Sequence, residues 1–140
     1  DGSAASNRAA AFAFRHAEAI GCGVVAVTVE PGRGEPETEP IDPENATPGS
    51  DTSAFHSPVI VTAASFPMVP VTFIAGSGRP AEVLLSQAVG AELLVVGSRG
   101  SGGFSGLIMG SVTQKVLAHA DCPVAVLHPG IPAATAAGMA

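Results

Sequence analysis

The chain has 140 residues, 46% of them hydrophobic, which suits one domain with a core of its own and excludes a disordered class. A formal charge of −6, with six Phe and no Trp or Tyr, argues against a nucleic-acid partner and against base-stacking platforms. No apolar run approaches the roughly 18–20 residues that cross a bilayer and no signal peptide is read, so a soluble cytoplasmic protein is expected, with Cys22 and Cys122 as buried free thiols.

Asp1-Gly2-Ser3 opens the chain with no strand before it. Ser3 or Ser6 can cap a helix that runs to Ile20, and Ala5, Ala9, Phe12, Ala13, His16, Ala17 and Ile20 follow helical spacing along one apolar face. Gly21 ends it. Val24 to Val29 is a continuous apolar and β-branched run, the pattern of a strand buried on both faces. Residues 30–58 hold seven of the twelve acidic residues and six of the twelve prolines and have no hydrophobic period, which reads as a mobile acidic loop. Within it His56 has no evident partner, and Pro58 limits any helix between Ala54 and Ser65 to a short one.

Val69 to Ile74 is the next predicted strand, and Gly76-Ser77-Gly78 a turn. Pro80 opens a helix through Ala88, with Val83, Leu84 and Ala88 inward and Gly90 beyond its end. Leu93 to Val96 is an apolar strand. A helix from Ser111 to His119 follows, where Ser111 and Gln114 have capping-box spacing and Val112, Val116 and Leu117 form the buried side. Lys115 is expected at its surface. Val124 to Leu127 is a last strand, and residues 131–140 a small-residue tail that frays. Strands alternating with helices over residues 1–130 predict one α/β domain with a parallel sheet, and no internal repeat is visible.

Between the Leu93 strand and the Ser111 helix lies GSRGSGGFSGLIMGS, with six of the seventeen glycines. A strand, a glycine-rich turn and a helix start are the parts of a phosphate cradle, because successive amides and the helix dipole favour an anion and glycine lets it approach. The chain has no Gly-Lys-Ser/Thr, which excludes a Walker loop. Gly100-Ser101-Gly102 has no glycine at 105 and comes late in the chain, which excludes a dinucleotide fingerprint. Gly97, Gly100 and Gly110 instead form G-x2-G-x9-G, followed by Ser111.

That pattern, entered from LLVVGSRG and followed by HADCPVAVLHP, closely resembles the nucleotide-binding signature of the universal stress protein family. The likeness is dense over residues 80–129, looser over 1–30 and poor between. It implies a doubly wound, Rossmann-like α/β/α sandwich of the adenine nucleotide alpha hydrolase type. In the family a central first strand ends in Asp-Gly-Ser with the Asp facing the nucleotide; here the sequence begins at that Asp without that first strand, which leaves two readings open, a fragment or a sheet completed another way. It also implies an ATP-binding sensor or regulator of a stress response, and a homodimer through the last strand, Val124 to Leu127.

In such a sheet ligands sit beyond the carboxyl ends of the strands, an edge that would gather Asp1, Thr28, Val29 and the Gly97 loop. Under the resemblance Asp1 accepts hydrogen bonds from ribose or base, and Val27 to Val29 offer apolar contact and backbone groups to adenine. Gly97 and Gly100 let the backbone wrap ribose and triphosphate, and the amides around Gly110 and Ser111 donate to phosphate. Ser111 can serve as cap, as phosphate ligand or as both, and Arg99 can reach phosphate or face solvent. The cofactor expected is ATP, with or without Mg2+. No general base or metal cluster is evident around the loop, and His16, His119 and His128 lack ligand spacing, so at most slow ATP hydrolysis is expected. The alternative reading is an interaction module of the same fold that does not bind nucleotide.

Overall fold

A computed structural model describes residues 1–31, 37–41, 57–100 and 109–130. The expectations for His56, for most of the acidic loop, for Gly102, Gly103 and Gly106 and for the tail 131–140 fall outside these residues.

In chain order the elements are α1 (Ala4–Ile20), β1 (Val24–Pro31), β2 (Glu37–Ile41), α2 (Ser57–Ala64), β3 (Val71–Gly78), α3 (Pro80–Gln87), β4 (Leu94–Gly97), α4 (Ser111–His119) and β5 (Val124–Leu127). The strands form two hydrogen-bonded groups, one in the order β1-β3-β2 and one pairing β4 with β5. β1 runs parallel to β3 with Val24 opposite Val71, and β4 runs parallel to β5 with Leu94 opposite Val124. β1 and β4 are in different groups and are not paired with each other as strands.

Helices close both faces, as the α/β reading requires. Phe14 and Ala17 of α1 pack with Val69, with Ala63 and Phe66 at α2, and with Val24 and Val71 of the larger sheet. Phe14 is 1% exposed and stacks on Phe66 at 5.8 Å between ring centroids. A second cluster joins Ala81 of α3 and Val116 of α4 to Val96, with Leu94, Val124 and Val126 of the smaller sheet around them. Successive residues of a strand point to opposite faces. Val96 therefore meets α3 and α4, while Gly97 faces α1 at Ala5.

Several boundaries and faces differ from the sequence reading. Gly76-Ser77-Gly78 is not a turn but the end of β3, held in register against Val29, Glu30 and Pro31; only Gly78, at φ 108°, has the turn-like backbone its residue type favours. The acidic segment contains β2, antiparallel to β3 at the sheet's margin, where Pro40, without an amide hydrogen, is tolerated. β1 is not buried on both faces, since Val25 is 52% exposed. On α1 the inward aromatic is Phe14 and not Phe12, which is half-buried and stacks on His16, and Ile20 is exposed. On α4 Leu117 is 44% exposed and Thr113 takes its place inside. Cys22 and Cys122 are free thiols, but half-buried.

Other local signals hold. Ser3 caps α1, its hydroxyl accepting the Ser6 amide at 3.1 Å, and Gly21 closes the helix at φ 73°. Pro58 stands in the first turn of the eight-residue α2, where its missing amide costs no helical bond.

Candidate functional site

The candidate site is built where β4 ends. Gly97 passes so close to α1 that a Cβ there would stand 2.9 Å from Ala5 Cβ and 3.1 Å from the Ser6 nitrogen. This contact sets the start of α1 against the end of β4. Ser3 and Asp1 follow from it. The Asp1 carboxylate accepts the Ser3 amide through Oδ1 at 3.0 Å, and its Oδ2 lies 2.7 Å from the position a Cβ on Gly100 would take. Asp1 and Gly100, ninety-nine positions apart, are thus neighbours.

The far side is the start of α4. The Gly110 amide donates to the Ser98 carbonyl at 2.8 Å, and the Ser98 amide donates to the Leu127 carbonyl at 2.8 Å. Gly110 lies beside Arg99, whose Cα is 3.7 Å from the Cβ position of Gly110. Gly110 is the N-cap of α4 and has no side chain to offer. Ser111 is therefore not the cap. It is the first helical residue, exposed, and Gln114 does not complete a capping box, because its amide nitrogen donates to the Met109 carbonyl at 3.1 Å. The N-cap gives the opening amides of α4 no side-chain acceptor, at the positive end of the helix dipole, and none is seen among the described residues.

Thr28 and Val29 sit elsewhere. They lie in the carboxyl half of β1, opposite Ala75 and Gly76. α1 starts beside Gly97 and runs back to deliver the chain to the start of β1, so β1 returns toward the edge where β4 ends. The structure thus gathers Asp1, Gly97, Arg99, Gly100, Gly110 and Ser111 around one strand end. Thr28 and Val29 are on the same edge but in the other hydrogen-bonded group. Among the described residues no group of three or more His, Cys, Asp or Glu could hold a metal.

Two residues at this strand end were not singled out by the sequence. Thr113, 3% exposed, donates its hydroxyl to the Gly97 carbonyl at 2.7 Å. The buried Ser98 has a hydroxyl with no hydrogen-bond partner among the described residues. A buried hydroxyl without a partner costs folding free energy. Ser98→Ala should therefore leave stability unchanged or raise it by up to about 1 kcal/mol, read by denaturant unfolding. A loss larger than that would mean the hydroxyl is bonded.

The universal stress protein family model matches residues 1–128. The chain belongs to the universal stress protein family. It is 34% identical over 134 residues to a universal stress protein of Mycobacterium tuberculosis, a match covering 90% of this chain and 42% of that one. To one of Mycolicibacterium smegmatis it is 36% identical over 130 residues, 92% of this chain and 44% of the other. The chain thus spans less than half the length of these relatives. Its fold is that of a solved universal stress protein crystallised with cAMP, with a TM-score of 0.66 at 24% identity over 93% of this chain and 92% of that one. The family's Rossmann-like α/β arrangement is therefore the fold of this chain. No helix among the described residues is long and apolar enough to cross a membrane.

Proposed function

We propose that the chain binds an adenine nucleotide at the end of β4, with ATP as the physiological ligand, with or without Mg2+, and acts as a sensor or regulator in a stress response. The observation that carries this reading is the start of α4, whose N-cap is a glycine with no side-chain cap. Gly110 adopts φ −74° and ψ 163°, an ordinary extended conformation that needs no glycine, and among the described residues a Cβ there would meet nothing closer than 3.7 Å. Neither the backbone nor packing against the described residues asks for glycine at this position, whereas an anion lying against the helix amides does. The exposed Ser111 hydroxyl and the Gly97 and Gly100 turn complete the donor set, and Arg99 stands beside it. Asp1 would accept from ribose or base, and Thr28 and Val29 would flank adenine. A related family member crystallised with cAMP supports the ligand class.

The reading includes a homodimer through β5, whose one described strand partner is β4, and a cytoplasmic setting that keeps Cys22 and Cys122 reduced. It includes no catalytic residue.

Thermal unfolding of the chain with and without millimolar Mg-ATP tests the proposal. A ligand at a hundredfold excess over its dissociation constant adds about 2.7 kcal/mol to stability, which moves the midpoint up by several degrees. ATP should give that shift and AMP should not. A cooperative transition indifferent to ATP would favour the interaction-module reading instead.

A further inference from the structure

We propose that Thr113 is a positioning residue for the nucleotide site, a role that rests on the reading just given. Thr113 lies in the first turn of α4, three residues after the N-cap Gly110. A helical threonine usually turns its hydroxyl back on its own helix, to the carbonyl three or four residues earlier. Thr113 instead reaches out of the helix to the Gly97 carbonyl at 2.7 Å, with the Ser98 carbonyl at 3.5 Å. The Gly110 amide meets the same stretch of chain at Ser98.

Two attachments do what one cannot. A single bond from Gly110 would hold the tip of α4 near β4 and leave the helix axis free to swing. A second bond one turn further along fixes the axis, and with it the direction of the opening amides. Gly97 is itself pressed against Ala5 and Ser6 of α1, so the acceptor is backed by a second helix. Both attachments come from residues flanking the 101–108 segment, not from within it. Thr113 is buried and cannot touch a nucleotide, so any effect on binding has to pass through the helix start it holds.

The test uses Thr113→Val, which keeps the shape and removes the donor, and Thr113→Ser, which keeps the donor. ATP affinity is measured by calorimetry, and hydrogen exchange of the Gly110 and Gln114 amides is measured on the unliganded proteins. The expected result is an ATP affinity about tenfold weaker in Thr113→Val and restored to within about twofold in Thr113→Ser, with both amides exchanging faster in Thr113→Val only. If Thr113→Val does not fold, Thr113→Ala supplies the same deletion without a methyl against the carbonyls. Unchanged exchange overturns the clamp, whatever happens to binding. Faster exchange with unchanged affinity overturns the positioning role and leaves a purely structural bond. A wild-type chain that ignores ATP removes the nucleotide reading itself, and the positioning role falls with it; the exchange comparison shows whether the clamp had also failed.

Discussion

Gly97→Ala is expected to destabilise the chain by about 1–3 kcal/mol, the range for forcing a methyl into a filled space. The added Cβ would stand 2.9 Å from Ala5 Cβ, 3.0 Å from the Ala5 carbonyl carbon and 3.1 Å from the Ser6 nitrogen. Two of those three atoms are α1 backbone, so no side-chain rotation relieves the clash, and α1 has to lift off β4. The cost spreads because α1 packs on β4 and β5 at one end and on α2 and β1 at the other. Against a total of roughly 5–15 kcal/mol for a domain, the loss should lower the thermal midpoint by several degrees. It should also disturb the site, because the Gly97 carbonyl is the acceptor of the Thr113 hydroxyl. Ala5→Gly removes the nearest atom but not the two backbone contacts, and by itself costs up to about 1 kcal/mol of helix propensity. The double variant should therefore be more stable than the sum of the single effects predicts, while staying below wild type. Denaturant unfolding of the four proteins measures this coupling, and strict additivity would mean that the close approach is not the cause.

What the sequence made legible follows from how local each determinant is. α4 and β5 were readable to the residue because their limits are set by neighbours: a glycine before Ser111 and a proline before Val124. β2 was not readable. ETEPI carries two glutamates and a proline, and nothing in its own pattern says strand; it is one because it lies antiparallel to β3. The same non-local pairing carries β3 through Gly76 to Gly78, which local propensity reads as a turn. The inward face of α1 is blurred by composition, because a helix so rich in alanine presents apolar residues on most sides, and helical spacing points to Phe12 where Phe14 is the buried aromatic. In the candidate site the glycine spacing was explicit. The closeness of Asp1 to Gly100 was suggested only through the family resemblance, and the tie from Thr113 to Gly97 not at all. A buried threonine in a helix has no pattern that tells where its hydroxyl goes.

Gly110→Asp is expected to make the unliganded chain more stable and unable to bind ATP. The two effects share one cause. Gly110 is the N-cap of α4 and offers no side chain, so among the described residues no cap side chain accepts the amides of the first turn. Aspartate is among the best N-cap residues. Its carboxylate would accept those amides and sit at the positive end of the dipole, a gain of a few tenths to about 1 kcal/mol over glycine. The backbone at φ −74° and ψ 163° already suits it, and the nearest atoms of the described residues, 3.7 Å from the new Cβ, leave room. The same carboxylate would then occupy the place proposed for phosphate and repel it. Gly110→Ala separates the parts: it offers no cap, so it should be slightly less stable than wild type, and its methyl should weaken ATP binding without a charge to abolish it. Thermal unfolding with and without Mg-ATP reads stability and binding together. A rise in the unliganded midpoint of Gly110→Asp, with no further rise on adding ATP, is the expected pair of results. If Gly110→Asp still responds to ATP as the wild type does, the phosphates do not lie at the start of α4.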